Sequence, residues 1–322
     1  MLNLTNEWDK VFPQDENVNH KKVTFKNHFG IELAADMYWP KEGNKFSAIA
    51  VSGPFGAVKE QSSGLYAQEM AKRGFLTIAF DPSFTGESGG EPRYMNSPDI
   101  NVEDFQSAVD FLSNLDCVNP EKISIIGICG WGGMAIQTAC IDTRIKATIA
   151  ITMYDMSRVN GCGYYDSENT EEVRYQKRVA LNKQRTLDFK NGAYALAGGV
   201  PDKLPDSMPQ FLYDYHDYYK VERGYHPRSL NSNGGWNVTA HASLLNTRLF
   251  TYASEIRNAV MIVHGEKAHS LYFGQDAFKL LKGDNKEFLL VKDANHCDLY
   301  DGGINHDKIP FNEIEEFIKK NI

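Results

Sequence analysis

The chain has 322 residues, 42% hydrophobic and 24% charged, a globular mix with room for one large core or two ordinary domains. Its net charge of −8 and the lack of any Lys/Arg-dense run exclude a basic face of the kind that binds nucleic acid. No apolar stretch nears the ~20 residues a membrane helix needs, and five scattered cysteines, an odd number, argue against a disulfide framework.

The start, MLNLTNEWDK, shows no basic segment followed by an apolar run, so no secretory signal is visible and a cytoplasmic location with reduced thiols is expected. From Lys22 to Pro40 two partly alternating runs, KVTFKN and IELAADMYWP, flank the turn Asn27-His28-Phe29-Gly30 and predict an antiparallel hairpin at a sheet edge. Short apolar runs follow at Phe46–Gly53, Phe75–Pro82, Lys122–Cys129, Ile145–Met153, Ala259–Glu266 and Lys286–Asp293. Strands apolar on both faces belong to a parallel sheet covered by helices. Amphipathic stretches between them predict those helices at Gln61–Arg73, Val102–Leu115, Gly132–Ile141, Phe273–Leu281 and Phe311–Lys320. The alternation gives an α/β class: a mostly parallel, doubly wound sheet with an antiparallel N-terminal hairpin.

The alternation breaks between residues 156 and 256. Glu171–Gly192 is charged and helix-favouring, and Phe211–Tyr225 is dense in tyrosine. A loop of that length without structure of its own is improbable. The segment reads as a mostly helical cap inserted into one domain that spans residues 1–322.

The chemistry concentrates at Ile126-Gly127-Ile128-Cys129-Gly130-Trp131-Gly132-Gly133. An apolar strand runs into a sharp turn and then a helix, the arrangement of a nucleophile elbow. Gly127 supplies the small residue before the turn, Cys129 stands at the nucleophile position, and the Gly130 N–H follows it as an oxyanion donor. The glycine after the nucleophile arrives one position late, because Trp131 intervenes. A register with Trp131 at the apex would be inert, but it displaces the preceding strand by two positions. The other cysteines lack such a context.

A thiol needs a base, and His296 lies in the loop after the last predicted strand, where one is expected. His264 ends the preceding strand and reads as structural; His269 is a weaker rival. Two carboxylates compete for the third position: Asp155, at the carboxyl end of Ile145–Met153, is favoured over Glu266, because Ala268 stands where the loop after Ala259–Glu266 commonly carries Asp. A second oxyanion N–H should come from the loop after Phe46–Gly53. Pro54 has none, so Phe55 is the candidate. The glycine-rich Phe80–Gly90 loop lacks both GxGxxG and a Lys-Ser/Thr pair and reads as structural.

Taken together, FDPSFTGESGG, GICGWGG, MYDMSRV, HGEKAHS and ANHCDLYD resemble the dienelactone-hydrolase-like and cocaine-esterase-like bacterial proteins and the related fungal polyketide transferases. The resemblance covers nearly the whole chain from about Asn19. It implies an α/β-hydrolase fold and a Cys-His-Asp triad, of which Cys129 and His296 carry over directly. The late glycine also matches the G-x-S-Y-x-G pattern of the cocaine-esterase group. The expected activity is hydrolysis of an ester or thioester, with an amide also conceivable, through an acyl-enzyme. Trp131, Tyr154 and Trp236 are the expected pocket residues. An acyltransferase on the same site and an inactive, ligand-binding fold are the alternatives. No cofactor or metal is implied. The expected partner is a small acyl substrate, without nucleic acid or membrane, and a homodimer is left open.

Overall fold

The computed structural model describes residues 2–322. Eight strands form one sheet: β1 (Val18–Lys26), β2 (Glu32–Pro40), β3 (Phe46–Ser52), β4 (Leu76–Phe80), β5 (Val118–Ile128), β6 (Ile145–Ile151), β7 (Ala259–Gly265) and β8 (Lys286–Val291). Their order is β1-β2-β4-β3-β5-β6-β7-β8. β1 pairs antiparallel with β2, and β2 antiparallel with β4; every later pairing is parallel. This is the architecture of the α/β hydrolases.

The helices are α1 (Ser62–Lys72), α2 (Pro98–Ser113), α3 (Gly130–Ala139), α4 (Met156–Cys162), α5 (Glu171–Asn191), α6 (Gln210–Tyr219), α7 (Ala242–Leu245), α8 (Leu271–Leu280), α9 (Asp298–Asp301) and α10 (Phe311–Asn321). Side chains alternate across each strand, so the sheet carries two cores. Phe105, Val109 and Leu112 of α2 and Met134 and Ala135 of α3 cover one face. Tyr66, Ala67 and Met70 of α1 and Ile314, Phe317 and Ile318 of α10 cover the other. Buried on both faces, the Ile123–Ile128 part of β5, most of β6 and all of β7 read as largely apolar runs. None of the helices among the described residues is long and apolar enough to cross a membrane.

The sequence places the first strand from Lys22, whereas β1 begins at Val18. Its pairing with β2 continues to Val18↔Pro40 through a polar stretch that carries no periodic signal. Residues 156–256 lie between β6 and β7. They hold α4 to α7, with irregular chain at 192–209 and 220–241. The functional residues gather where β3, β5, β6, β7 and β8 end, beneath this insertion.

Candidate active site

β5 ends at Ile128 and α3 begins at Gly130, so Cys129 alone makes the turn. It does so with φ 57° and ψ −126°, a strained conformation for a residue with a side chain. The glycines around it follow from sterics. A Cβ on Gly127 would lie 2.0 Å from the Trp131 carbonyl oxygen, and one on Gly133 would lie 2.1 Å from that of Tyr154. One on Gly130 would lie 2.8 Å from the Cβ of Phe55. The chain closes this tightly because α3 is pulled down onto the sheet, and Trp131 does the pulling. Its indole is buried edge-on against Phe80 and Phe105, with ring centroids 5.9 and 5.4 Å away. Trp131 therefore belongs to the core. Its expected place in the substrate pocket is corrected: in the first turn of α3 it points inward, away from the sulfur.

Three groups neighbour the Cys129 sulfur and favour its thiolate: the N–H of Phe55, the N–H of Gly130 and the Tyr300 hydroxyl. The first two sit where oxyanion donors are needed. The Phe55 loop is braced from both sides. Asn231 Nδ2 donates to the Phe55 carbonyl (2.9 Å) and Ser229 Oγ to that of Gly56 (3.0 Å). Below, the Lys59 N–H donates to Asp81 (2.8 Å), and the buried Lys59 ammonium reaches Asp81 (3.2 Å), Glu87 (2.6 Å) and Glu60. Burial works against that ammonium, but Asp81, Glu60, Asp36 and Glu87 outweigh it and hold its pKa above the ordinary lysine value. The glycine-rich Phe80–Gly90 loop thus acts as the footing of the oxyanion loop.

His296 is buried, and the reciprocal bonds Asn295 N–H to Asp298 and Asp298 N–H to Asn295, both 2.9 Å, fix the turn that carries it. Its Nε2 meets the Tyr300 hydroxyl at 2.9 Å. Tyr300 therefore stands beside the sulfur and is bonded to the imidazole. The Nδ1 meets Thr152 Oγ1 (2.8 Å) and Ser270 Oγ (2.6 Å). No carboxylate among the described residues hydrogen-bonds this ring.

The structure accordingly corrects the third position. Asp155 caps α4, accepting from the Arg158 N–H (2.9 Å) and Ser157 Oγ (2.6 Å). Glu266 is exposed and accepts from the Asp293 N–H (3.0 Å). Neither hydrogen-bonds His296. The hydroxyls that do are unremarkable in sequence: Thr152 follows β6, Ser270 precedes α8, and only the fold brings them together. Tyr300 carries a weak signal, since it lies four residues after His296, one helical turn on. His269 meets the Tyr154 hydroxyl through Nε2 and stacks on Phe211 (4.2 Å). His264 Nε2 meets the Met153 carbonyl at 3.3 Å.

Burial sets the protonation states. It pushes the Cys129 thiol up, and the bonds from Tyr300, Phe55 and Gly130 offset this only in part. It holds His296 well below the usual imidazole range, with His269 and His264 adding to the effect. The pair rests as neutral thiol and neutral imidazole.

Beside the sulfur is a cavity of about 240 Å³ lined by Phe55, Tyr154, Met156, Val159, Tyr164, Val200, Tyr215, Tyr219, Asn231, Trp236, His241 and Tyr300. Trp236 stacks on Phe55 at 4.6 Å. The Tyr154 hydroxyl bonds to that of Tyr215 (2.9 Å). Among the described residues no group of three or more His, Cys, Asp or Glu is placed to hold a metal ion.

Sheet order, elbow and base loop define an α/β hydrolase. More narrowly, the chain matches the X-Pro dipeptidyl-peptidase (S15) family over residues 30–296 and belongs to that family. The uncharacterized protein PA2218 of Pseudomonas aeruginosa is 51% identical over 100% of this chain and 86% of its own length. Its crystal structure superposes with a TM-score of 0.96, covering 100% of this chain and 99% of that one. The thiohydrolase aneE of Aspergillus aculeatus is 31% identical over a shorter region, 42% of each chain. The fold also matches the crystal structure of the alpha/beta hydrolase GrgF from Penicillium sp. sh18, at 19% identity and a TM-score of 0.75 over 94% of this chain and 99% of that one.

Proposed function

We propose that this protein cleaves small thioesters or activated esters through an acyl-enzyme on Cys129. The observation that carries the reading is the sulfur held at a strained elbow beside two backbone N–H groups and beside the Tyr300 hydroxyl, which is bonded to a buried imidazole. Serine is the usual nucleophile of S15 peptidases, and sulfur suits a site without a carboxylate because a thiol needs less help from its base.

The sulfur attacks the acyl carbon while its proton passes to the Tyr300 oxygen and the tyrosine's own proton passes to His296 Nε2. The Nδ1–H points to Ser270 and Thr152. The carbonyl oxygen takes up the negative charge between the N–H groups of Phe55 and Gly130. Collapse breaks the bond to the leaving thiolate or alkoxide, which recovers the proton through the same hydroxyl. Water then attacks the acyl carbon and gives one proton to His296; collapse breaks the sulfur–carbon bond, the sulfur recovers the proton through Tyr300, and the acid leaves. The cavity's volume and aromatic lining fit a short acyl or aryl group. The name of the thiohydrolase relative accords with this chemistry.

Cys129 is 7% exposed in an aromatic chamber, which favours a second reading: transfer of the acyl group to an alcohol or thiol instead of water. Pre-steady-state mixing with p-nitrophenyl butyrate tests the shared step. One equivalent of nitrophenolate should be released in a burst and vanish in Cys129→Ala; a burst surviving in that variant refutes the site. Product analysis with water against added alcohols and thiols separates hydrolysis from transfer.

A further inference from the structure

α4 is a wall with two rooms. Met156 and Val159 face the catalytic cavity. Ser157 and Arg158 face a second cavity, of about 540 Å³, that also borders Arg174, Arg178 and Arg248. Arg158 is neutralised by Asp166 (2.6 Å) and Asp276 (2.8 Å). The other three guanidiniums have no acidic partner among the described residues. There Arg174 reaches only the Asn169 amide oxygen (2.6 Å), and the side chains of Arg178 and Arg248 make neither hydrogen bond nor ion pair. The two carboxylates bordering the cavity are already engaged, Asp155 by Ser157 and the Arg158 N–H, Asp166 by Arg158.

Three uncompensated positive charges around one hollow are unexpected on a chain of net charge −8. They repel one another, and a polyanion would relieve that repulsion. All three are arginine, whose forked donors match phosphate oxygens in a way that lysine does not. The volume is in the range of ligand sites and far exceeds what a lone chloride needs. We propose that this cavity binds a phosphate-bearing group, supplied either by a free polyphosphate or by the phosphate arm of a thioester carrier whose acyl end enters the catalytic cavity. The second source rests on the acyl-transfer reading above; binding itself does not.

Calorimetric titration of the full chain with inorganic pyrophosphate at low salt tests the site. Binding is expected, weakening as salt rises, and Arg178→Gln/Arg248→Gln should weaken it by about tenfold or more, since each arginine contributes a charge-assisted bond. Both arginines are exposed, so the substitutions spare the core. Absence of pyrophosphate binding, or binding indifferent to the double substitution, overturns the proposal. Butyryl-coenzyme A and butyryl-pantetheine, which lacks the phosphates, then separate the sources. A preference for the coenzyme A thioester that the double variant abolishes, with butyryl-pantetheine turnover unchanged, assigns the site to the carrier. Equal turnover of the two beside retained pyrophosphate binding assigns it to a free polyphosphate. Pyrophosphate binding with no turnover of either thioester would leave the site standing and sink the catalytic reading instead.

Discussion

Replacing Tyr300 with phenylalanine removes one oxygen and nothing else from the packing, and that oxygen is bonded to His296 and lies beside Cys129. With the ring retained, imidazole and sulfur stay apart, and the thiol proton loses its route. General-base catalysis contributes roughly 10²–10⁴-fold, so kcat for p-nitrophenyl butyrate should fall by roughly 10²–10³, about 3–4 kcal/mol of barrier. KM should change little, because the hydroxyl binds the reacting centre and not the acyl chain. Stopped-flow acylation is the direct assay, and its pH profile discriminates mechanism. Because burial holds His296 far below 6.5, wild-type acylation should be insensitive to pH between 6 and 8 with no inflection near 6.5. Tyr300→Phe should instead rise with pH as hydroxide replaces the lost route to thiolate. A variant within threefold of wild type, or one with an unchanged profile, shows that the hydroxyl carries no proton.

Ser270→Ala leaves His296 Nδ1 with Thr152 alone; kcat should drop about fivefold, the value of one orienting hydrogen bond of about 1 kcal/mol, and Ser270→Ala/Thr152→Val should drop further. If the double variant equals the single, the two hydroxyls do not share the task. Asp155→Asn should leave turnover within about threefold, because asparagine caps a helix as well as aspartate does, and Glu266→Gln should be silent; a large kinetic loss in either would restore a carboxylate to the mechanism. Acid should destabilise the fold early. Burial depresses His241 and His269 to about 4 and His264 to about 3. A histidine with a lowered folded pKa lends full stability above its unfolded value and loses it as pH falls below that value. Between pH 6.5 and 4 each should cost up to about 1.4 kcal/mol per pH unit, offset in part by Asp104, which burial raises to about 6 and which gains stability on protonation. Urea midpoints flat from pH 6.5 to 4.5 would contradict this.

The parallel strands and the elbow were legible in the sequence because one strong constraint fixes each. Buried parallel strands must be continuously apolar, and Phe46–Gly53 and Ala259–Glu266 emerge as β3 and β7 with ends shifted by a residue. At the elbow sterics write the glycines directly, since a methyl on Gly127 meets backbone at 2.0 Å. The role of Trp131 was not legible: a core indole and a pocket indole look alike until the direction of the first turn of α3 is known. Asp155 misleads for a related reason. A carboxylate at a strand's carboxyl end can orient a base or cap the next helix, and only the position of Ser157 and the Arg158 N–H decides for the cap. Thr152 and Ser270 come from two chain segments more than a hundred residues apart in sequence, and no local pattern distinguishes them from other hydroxyls.

The catalytic cavity also bears on which acyl groups can enter. A peptidase that releases X-Pro dipeptides must bury its substrate's charged α-amine, which requires a carboxylate close by, because an unpaired ammonium in an apolar site costs several kcal/mol. The lining here has tyrosines, Trp236, Met156, two valines, Asn231 and a histidine that burial holds neutral near pH 7, but no Asp or Glu. A free amine can enter only neutral, and with an ordinary pKa near 8 about one in a hundred is neutral at pH 6 and about one in ten at pH 7. The p-nitrophenyl esters of isobutyrate and alanine differ by a methyl against an ammonium. After correction for their rates with hydroxide, kcat/KM should favour isobutyrate by about 10² at pH 6, narrowing to about tenfold at pH 7. An alanyl ester preferred at pH 6 would mean that a negative charge reaches the cavity from a source other than its lining, and the case for a neutral acyl substrate would be lost.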